Sequence, residues 1–154
     1  MRSILLAVTF AWLGVASVAA AEPEIRLFNP PGLWAPSTFS QIGTARGGTT
    51  VYISGQTARN AKGDVVGHGD LTAQTRQVFE NLKTALAAVD AGFQHVVKIN
   101  TYVKNLQPND RVMIAETIAR YLPSGRRPAH TLVGVPALAV EELLVEIEAI
   151  AIVP

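Results

Sequence analysis

The chain has 154 residues, 49% of them hydrophobic and 16% charged, with a formal net charge of +1. Its 12 glycines and 9 prolines are scattered, which excludes a collagen repeat, a coiled coil and a charged disordered tail. It has no cysteine, so a disulfide scaffold, a zinc finger, an iron–sulfur centre, a cysteine nucleophile and a lipid-modified cysteine are excluded together.

Residues 1–21 read as an export signal. Arg2 precedes an apolar run from Ile4 to Val18, and Ala19-Ala20-Ala21 follow before Glu22-Pro23-Glu24. That is a charged start, an apolar centre and an A-x-A cleavage site. An uncleaved anchor is the competing reading, because the run approaches the ~20 residues of a membrane span. Gly14, Ser17 and the alanines thin its end, and no basic stop-transfer cluster follows, which favours cleavage. The expected product is one domain, residues 22–154, periplasmic or secreted and without a membrane segment. Loss of Arg2 takes 13 Lys and Arg to 12, against 12 Asp and Glu. A neutral domain with interspersed charges has no electrostatic footprint for nucleic acid and no basic surface for anionic lipid.

Ile25 to Phe28 is the first predicted strand, stopped by Asn29-Pro30-Pro31-Gly32. Pro36 to Phe39 is expected to be extended. Gly47-Gly48 lies between Ser40–Arg46 and the β-branched run Thr49–Ser54, which suggests a hairpin with a primed turn. Ser54-Gly55 is expected to end that strand. Asn60 to Asp64 reads as a turn and Gly67-His68-Gly69 as a loop. Asp70 caps a helix running to about Val89, with Val78, Leu82, Ala85, Leu86 and Val89 as its apolar stripe. Gln74, Gln77, Asn81 and Lys83 fall off that stripe, and Gly92 is placed as the C′ residue.

His95 to Val103 reads as a strand. Pro108-Asn109-Asp110 opens a second helix, with Ile114, Ile118 and Tyr121 on one side, ending before Pro123. His130 to Val135 and Leu143 to Val153 are strands. Strands with two intervening helices predict an α+β fold, one sheet with both helices on a single face. On the last strand Val145, Ile147, Ala149, Ala151 and Val153 point one way, and Glu146, Glu148, Ile150 and Ile152 the other. Neither set is plainly solvated, so the helix-free face is expected to cover itself, most simply with another copy of the chain.

There is no P-loop, dinucleotide fingerprint, H-E-x-x-H or G-x-S-x-G. Nothing in the spacing of His68, His95 and His130 points to a metal site. Glu146 and Glu148 share a face of an otherwise apolar strand, where burial would raise a carboxyl's pKa and suit it to proton transfer. A partly wet sheet edge with solvated or ion-paired carboxylates is the plainer reading of the same spacing. Ser54 beside Gly55 could place a hydroxyl and a bare N–H near a ligand, or could simply turn the chain.

Three stretches carry a resemblance. Val51-Tyr52-Ile53-Ser54-Gly55-Gln56 resembles the V-x-x-S-G-Q strand of the Rid (YjgF-like) family of reactive-intermediate deaminases. The helix Asp70 to Leu82 and the ending Val145-Glu146-Ile147-Glu148-Ala149-Ile150-Ala151 are similar to the same family's, and the likeness covers about residues 36–153. It implies a compact, chorismate-mutase-like α+β domain, a mixed sheet with its helices on one face. It further implies a homotrimer with ligand clefts between subunits, and hydrolysis of small enamines or imines with no metal and no cofactor. An arginine fork would grip the substrate carboxylate, and a glutamate on the last strand would orient the attacking water.

Residue by residue, the resemblance assigns the glutamate to Glu146 and the turn to Ser54-Gly55. The arginine position holds His130, the cysteine position Leu132, the tyrosine position Phe39 and the asparagine position Ala115. All four departures make the pocket less polar and remove its charged fork. Arg126 and Arg127 lie nearby in sequence, without a reason to reach the cleft. The expectation is an exported imine or enamine hydrolase acting on a less polar, non-carboxylate small molecule, with the family's 2-imino-acid activity weak or absent. A catalytically silent small-molecule binder or chaperone-like protein is the alternative.

Overall fold

The computed structural model describes residues 21–154, so the export signal lies outside the described residues save for Ala21. Six strands and two helices follow in the order β1 (Glu24–Phe28), β2 (Ile42–Arg46), β3 (Thr49–Thr57), α1 (Leu71–Ala87), β4 (Val96–Lys104), α2 (Asp110–Tyr121), β5 (Ala129–Val135) and β6 (Val145–Val153). The main sheet has the order β3-β6-β4-β5, with β4 and β5 parallel and the other pairs antiparallel. The core lies between this mixed sheet and the two helices, around Val78, Phe79, Leu82, Ile99, Ile114 and Ile147. This is the expected α+β class. Among the described residues no helix is long and apolar enough to cross a membrane.

The Gly47-Gly48 hairpin does not form as expected. Both glycines have positive φ, +74° and +72°. The strands they join belong to different sheets, however, because β2 pairs with β1 in a separate two-stranded ribbon while β3 pairs with β6. A side chain on Gly48 would overlap the Val153 carbonyl oxygen. The turn therefore serves a close approach to the end of β6. Pro36 to Phe39 is irregular rather than extended, and Ser40 alone bridges Ala129.

α1 begins where the sequence places it: Asp70 accepts a hydrogen bond from the Ala73 N–H at 2.9 Å. Its buried stripe differs. Gln74 is fully buried and Val89 is exposed. The Gln74 side chain donates to the Glu142 carbonyl at 2.8 Å and accepts from the Leu144 N–H at 2.8 Å, tying the helix to the start of β6. Asn81 likewise donates to the carbonyls of Thr57 and Arg59. Amides that bind backbone are buried without an unmet polar group, which apolar periodicity alone does not show. After the helix Asp90, not Gly92, takes the left-handed conformation, and Gly92 opens a short 3-10 turn that includes His95.

Candidate active site

Ser54-Gly55 does not end β3. The pairing of β3 with β6 shifts register between Ile53 and Gln56, and the strand continues to Thr57. The extra residue makes a β-bulge, which re-aims the chain next to Glu146. Ile53 still opposes Ala149, while beyond the bulge Thr57 opposes Glu146. The Glu146 carboxylate folds into the space where Gly55 lacks a side chain; a Cβ there would overlap Glu146 Oε1.

Glu146 and Glu148 occupy the helix-free face, each half-buried, while Val145, Ile147, Ala149 and Ala151 are buried against the helices. β4 presents Lys98, Asn100 and Tyr102 to the same free face, opposite Ile150, Glu148 and Glu146 in turn. Asn100 donates to Glu148 Oε1 at 2.6 Å and Tyr102 OH to the same oxygen at 3.4 Å. Negative charge on Glu148, then partial desolvation, holds the Tyr102 phenol above its ordinary pKa. Lys98 donates to Thr131 Oγ1 at 2.7 Å, and burial, partly offset by Glu148, lowers its pKa. A cavity of about 200 Å3 opens among Tyr52, Ser54, Lys98, Asn100, Glu148 and Ile150. Polar residues two apart on β4 were the signal for this row.

His130 lies on the other side of the sheet. It pairs in register with Ile99, and its Nε2 is 3.0 Å from the hydroxyl of fully buried Thr101. Burial, with a smaller contribution from Lys98, pushes its pKa down to about 4. The imidazole is therefore neutral near pH 7. That moves its titration out of the range around pH 6.5 that an unperturbed histidine would give. Phe39 stands edge-on to His130 with ring centroids 6.3 Å apart, and Trp34 edge-on to Phe39 at 6.2 Å. The Ser40 N–H donates to the Pro128 carbonyl at 3.2 Å, which holds Phe39 at the start of β5.

Leu132 follows His130 two residues on and packs against the core, and Ala115 is half-buried on α2 in the helix layer. The sequence-derived residues thus fall into two groups. Ser54, Gly55 and Glu146 meet at the bulge, and Phe39, His130 and Leu132 gather around β5 on the helix side. One chain does not bring the two groups together. Trp34 and Thr101 escaped the sequence reading, because only the fold sets them beside Phe39 and His130. Among the described residues no group of three or more His, Asp or Glu could hold a metal ion.

The bulge under a glutamate, in a four-stranded mixed sheet with both helices on one face, defines a protein of the Rid (YjgF-like) class. The chain belongs to that family: the family model described as Endoribonuclease L-PSP matches residues 33–153. Among solved structures it is similar to the Rid-family protein YyfB from Yersinia pestis, a protein of unknown function, with 40% identity and a TM-score of 0.80. That match covers 84% of this chain and 98% of the other. The RutC family protein PH0854 of Pyrococcus horikoshii is 36% identical over 69% of this chain and 81% of its own length. The 2-iminobutanoate/2-iminopropanoate deaminase of Dermatophagoides farinae is 33% identical over 69% of this chain and 80% of its own length.

Proposed function

We propose that this is an exported member of the family that hydrolyses a reactive imine or enamine lacking the carboxylate of the usual 2-imino acids. The observation that carries the reading is the pairing of a kept half-site with a changed one. Glu146 rests on the Gly55 bulge, whereas the arginine position holds a buried, neutral histidine bonded to Thr101. In this reading Glu146 takes a proton from water, whose oxygen adds to the C=N carbon. Glu146 returns that proton to the nitrogen, the hydroxyl of the resulting amino alcohol passes its own proton to the same nitrogen as the C–N bond breaks, and a carbonyl compound and ammonia leave. A neutral imidazole offers one hydrogen bond where a guanidinium offers a charged fork.

In this reading the active unit is the homotrimer that the family resemblance implies, with its clefts between copies, because Glu146 and His130 lie on opposite faces of one sheet and do not meet within one chain. Tyr52, 78% exposed, and Ile150 on the helix-free face support burial against another copy. Nucleic acid is not a partner in this reading, because the balanced charge of residues 22–154 offers no phosphate-binding surface.

A silent binder is the second reading, favoured by the same missing fork. The experiment that separates them generates 2-imino acids and carboxylate-free ketimines in situ and follows their hydrolysis by wild type and Glu146→Gln. Hydrolysis of the ketimines by wild type alone supports the enzyme. Ligand-induced stabilisation without turnover in either protein supports the binder.

A further inference from the structure

Trp34 is 71% exposed, yet the chain that carries it is fixed on both sides. The Gln41 side chain donates to the Trp34 carbonyl at 3.0 Å, and the Gln41 N–H donates to Asn29 Oδ1 at 2.8 Å. The Leu33 N–H donates to the Pro30 carbonyl at 3.4 Å, and Pro36, two residues beyond Trp34, is buried. The loop 29–41 thus sets the base of an indole that it leaves in water. Such a side chain gives up the burial that makes aromatic residues stabilising.

The indole is not isolated. Its plane stands at 76° to the Phe39 ring, and the Phe39 ring at 85° to the His130 imidazole. The three rings form a row that runs from solvent to the imidazole. His130 is tied to Thr101, which fixes the inner end of the row. Both contacts are edge-to-face, the arrangement a further aromatic ring would also favour.

We propose that Trp34 contacts the substrate and selects for an aryl group: a ketimine whose C=N group reaches His130 lays its ring across Phe39 against the indole. This rests on the hydrolysis proposed above and adds the class of substituent that the cleft takes. A saturated ring of the same carbon count gains the burial but not the attraction between ring edge and ring face. That attraction is worth a few-fold to about 10-fold in affinity.

Two ketones and their imines test it on the full chain: acetophenone and cyclohexyl methyl ketone, by calorimetric titration of the ketones and initial rates on the imines. Wild type should bind acetophenone more tightly, by about 3-fold to 10-fold. Trp34→Leu, still apolar, should lose that preference and show it in KM, with kcat little changed; Trp34→Phe should keep most of it. The same preference in wild type and Trp34→Leu overturns the contact. If Trp34→Leu shifts sedimentation towards smaller species while its ketone affinities match wild type, a second copy covers the indole and the proposal is wrong. Acetophenone binding that depends on Trp34, without turnover of either imine, supports the contact and overturns the hydrolysis. Turnover of both imines that ignores Trp34 does the reverse, and neither binding nor turnover overturns both.

Discussion

The Glu146 carboxylate occupies the space that the missing side chain of Gly55 leaves open. Nothing larger than hydrogen fits at position 55 while Glu146 keeps this pose. Gly55→Ala must therefore displace the carboxylate or push the bulge away from β6. Overpacking of this kind costs ~1–3 kcal/mol. The expected result is a modest fall in melting temperature and a fall in turnover of about 10-fold or more, the latter equal to ~1.4 kcal/mol of transition-state stabilisation. Ser54→Ala, exposed at the same bulge, should leave stability nearly unchanged. Thermal unfolding and initial rates on the three proteins check the pair.

His130 sets a pH dependence of stability. Its pKa falls from 6.5 unfolded to about 4 folded. Between those values the unfolded chain binds a proton that the folded chain refuses. Stability is therefore full above about pH 6.5 and is lost as pH falls towards about 4. Each pH unit across the window removes up to ~1.4 kcal/mol. Denaturant unfolding from the acid to the neutral side should show a steep decline in wild type and a shallower one in His130→Gln. Parallel curves would contradict the buried neutral imidazole.

Restoring the fork should restore some of the family's chemistry. His130→Arg is expected to gain measurable hydrolysis of a 2-imino acid made in situ by an amino-acid oxidase. The gain is limited by Phe39, Leu132 and Ala115, which still differ from the family pattern, and by the loss of the Thr101 contact. Wild type equal to an arginine-bearing relative on the same substrate would contradict the loss of the fork.

The two isoleucines of β6 separate folding from assembly. Ile147 is fully buried beneath the helices, whereas Ile150 is half-buried on the helix-free face. Ile147→Asp puts a charge in the core and should abolish folding, as read by circular dichroism. Ile150→Asp should keep the fold and shift sedimentation towards smaller species. A stable, well-folded wild-type monomer would contradict the intersubunit cleft.

Much of the fold was legible because period-2 and period-3.6 patterns report burial directly. The alternation of β6 and the Asp70 cap of α1 were both readable in this way. Pairing was less legible: Gly47-Gly48 has the backbone of a hairpin turn, yet its flanking strands choose β1 and β6 as partners. Local turn chemistry does not decide which strands pair. Gln74 was misplaced for a related reason, since its burial depends on backbone groups of Glu142 and Leu144 far along the chain. Of the site, the alternation put Glu146 and Glu148 on one face. That His130 points to the other face follows from its parallel register with Ile99, which one strand's sequence does not contain.

In the proposed reaction Glu146 directs water onto a C=N bond in a pocket that no longer holds a carboxylate. Hydrolysis of a carboxylate-free ketimine by wild type and Glu146→Gln, with ligand-induced stabilisation measured on both, tests it most directly. Turnover is expected in wild type, reduced by ~100-fold or more in Glu146→Gln, as loss of a general base does, with similar stabilisation of both proteins. Equal rates in the two proteins, or a wild type that hydrolyses only 2-imino acids, would contradict it.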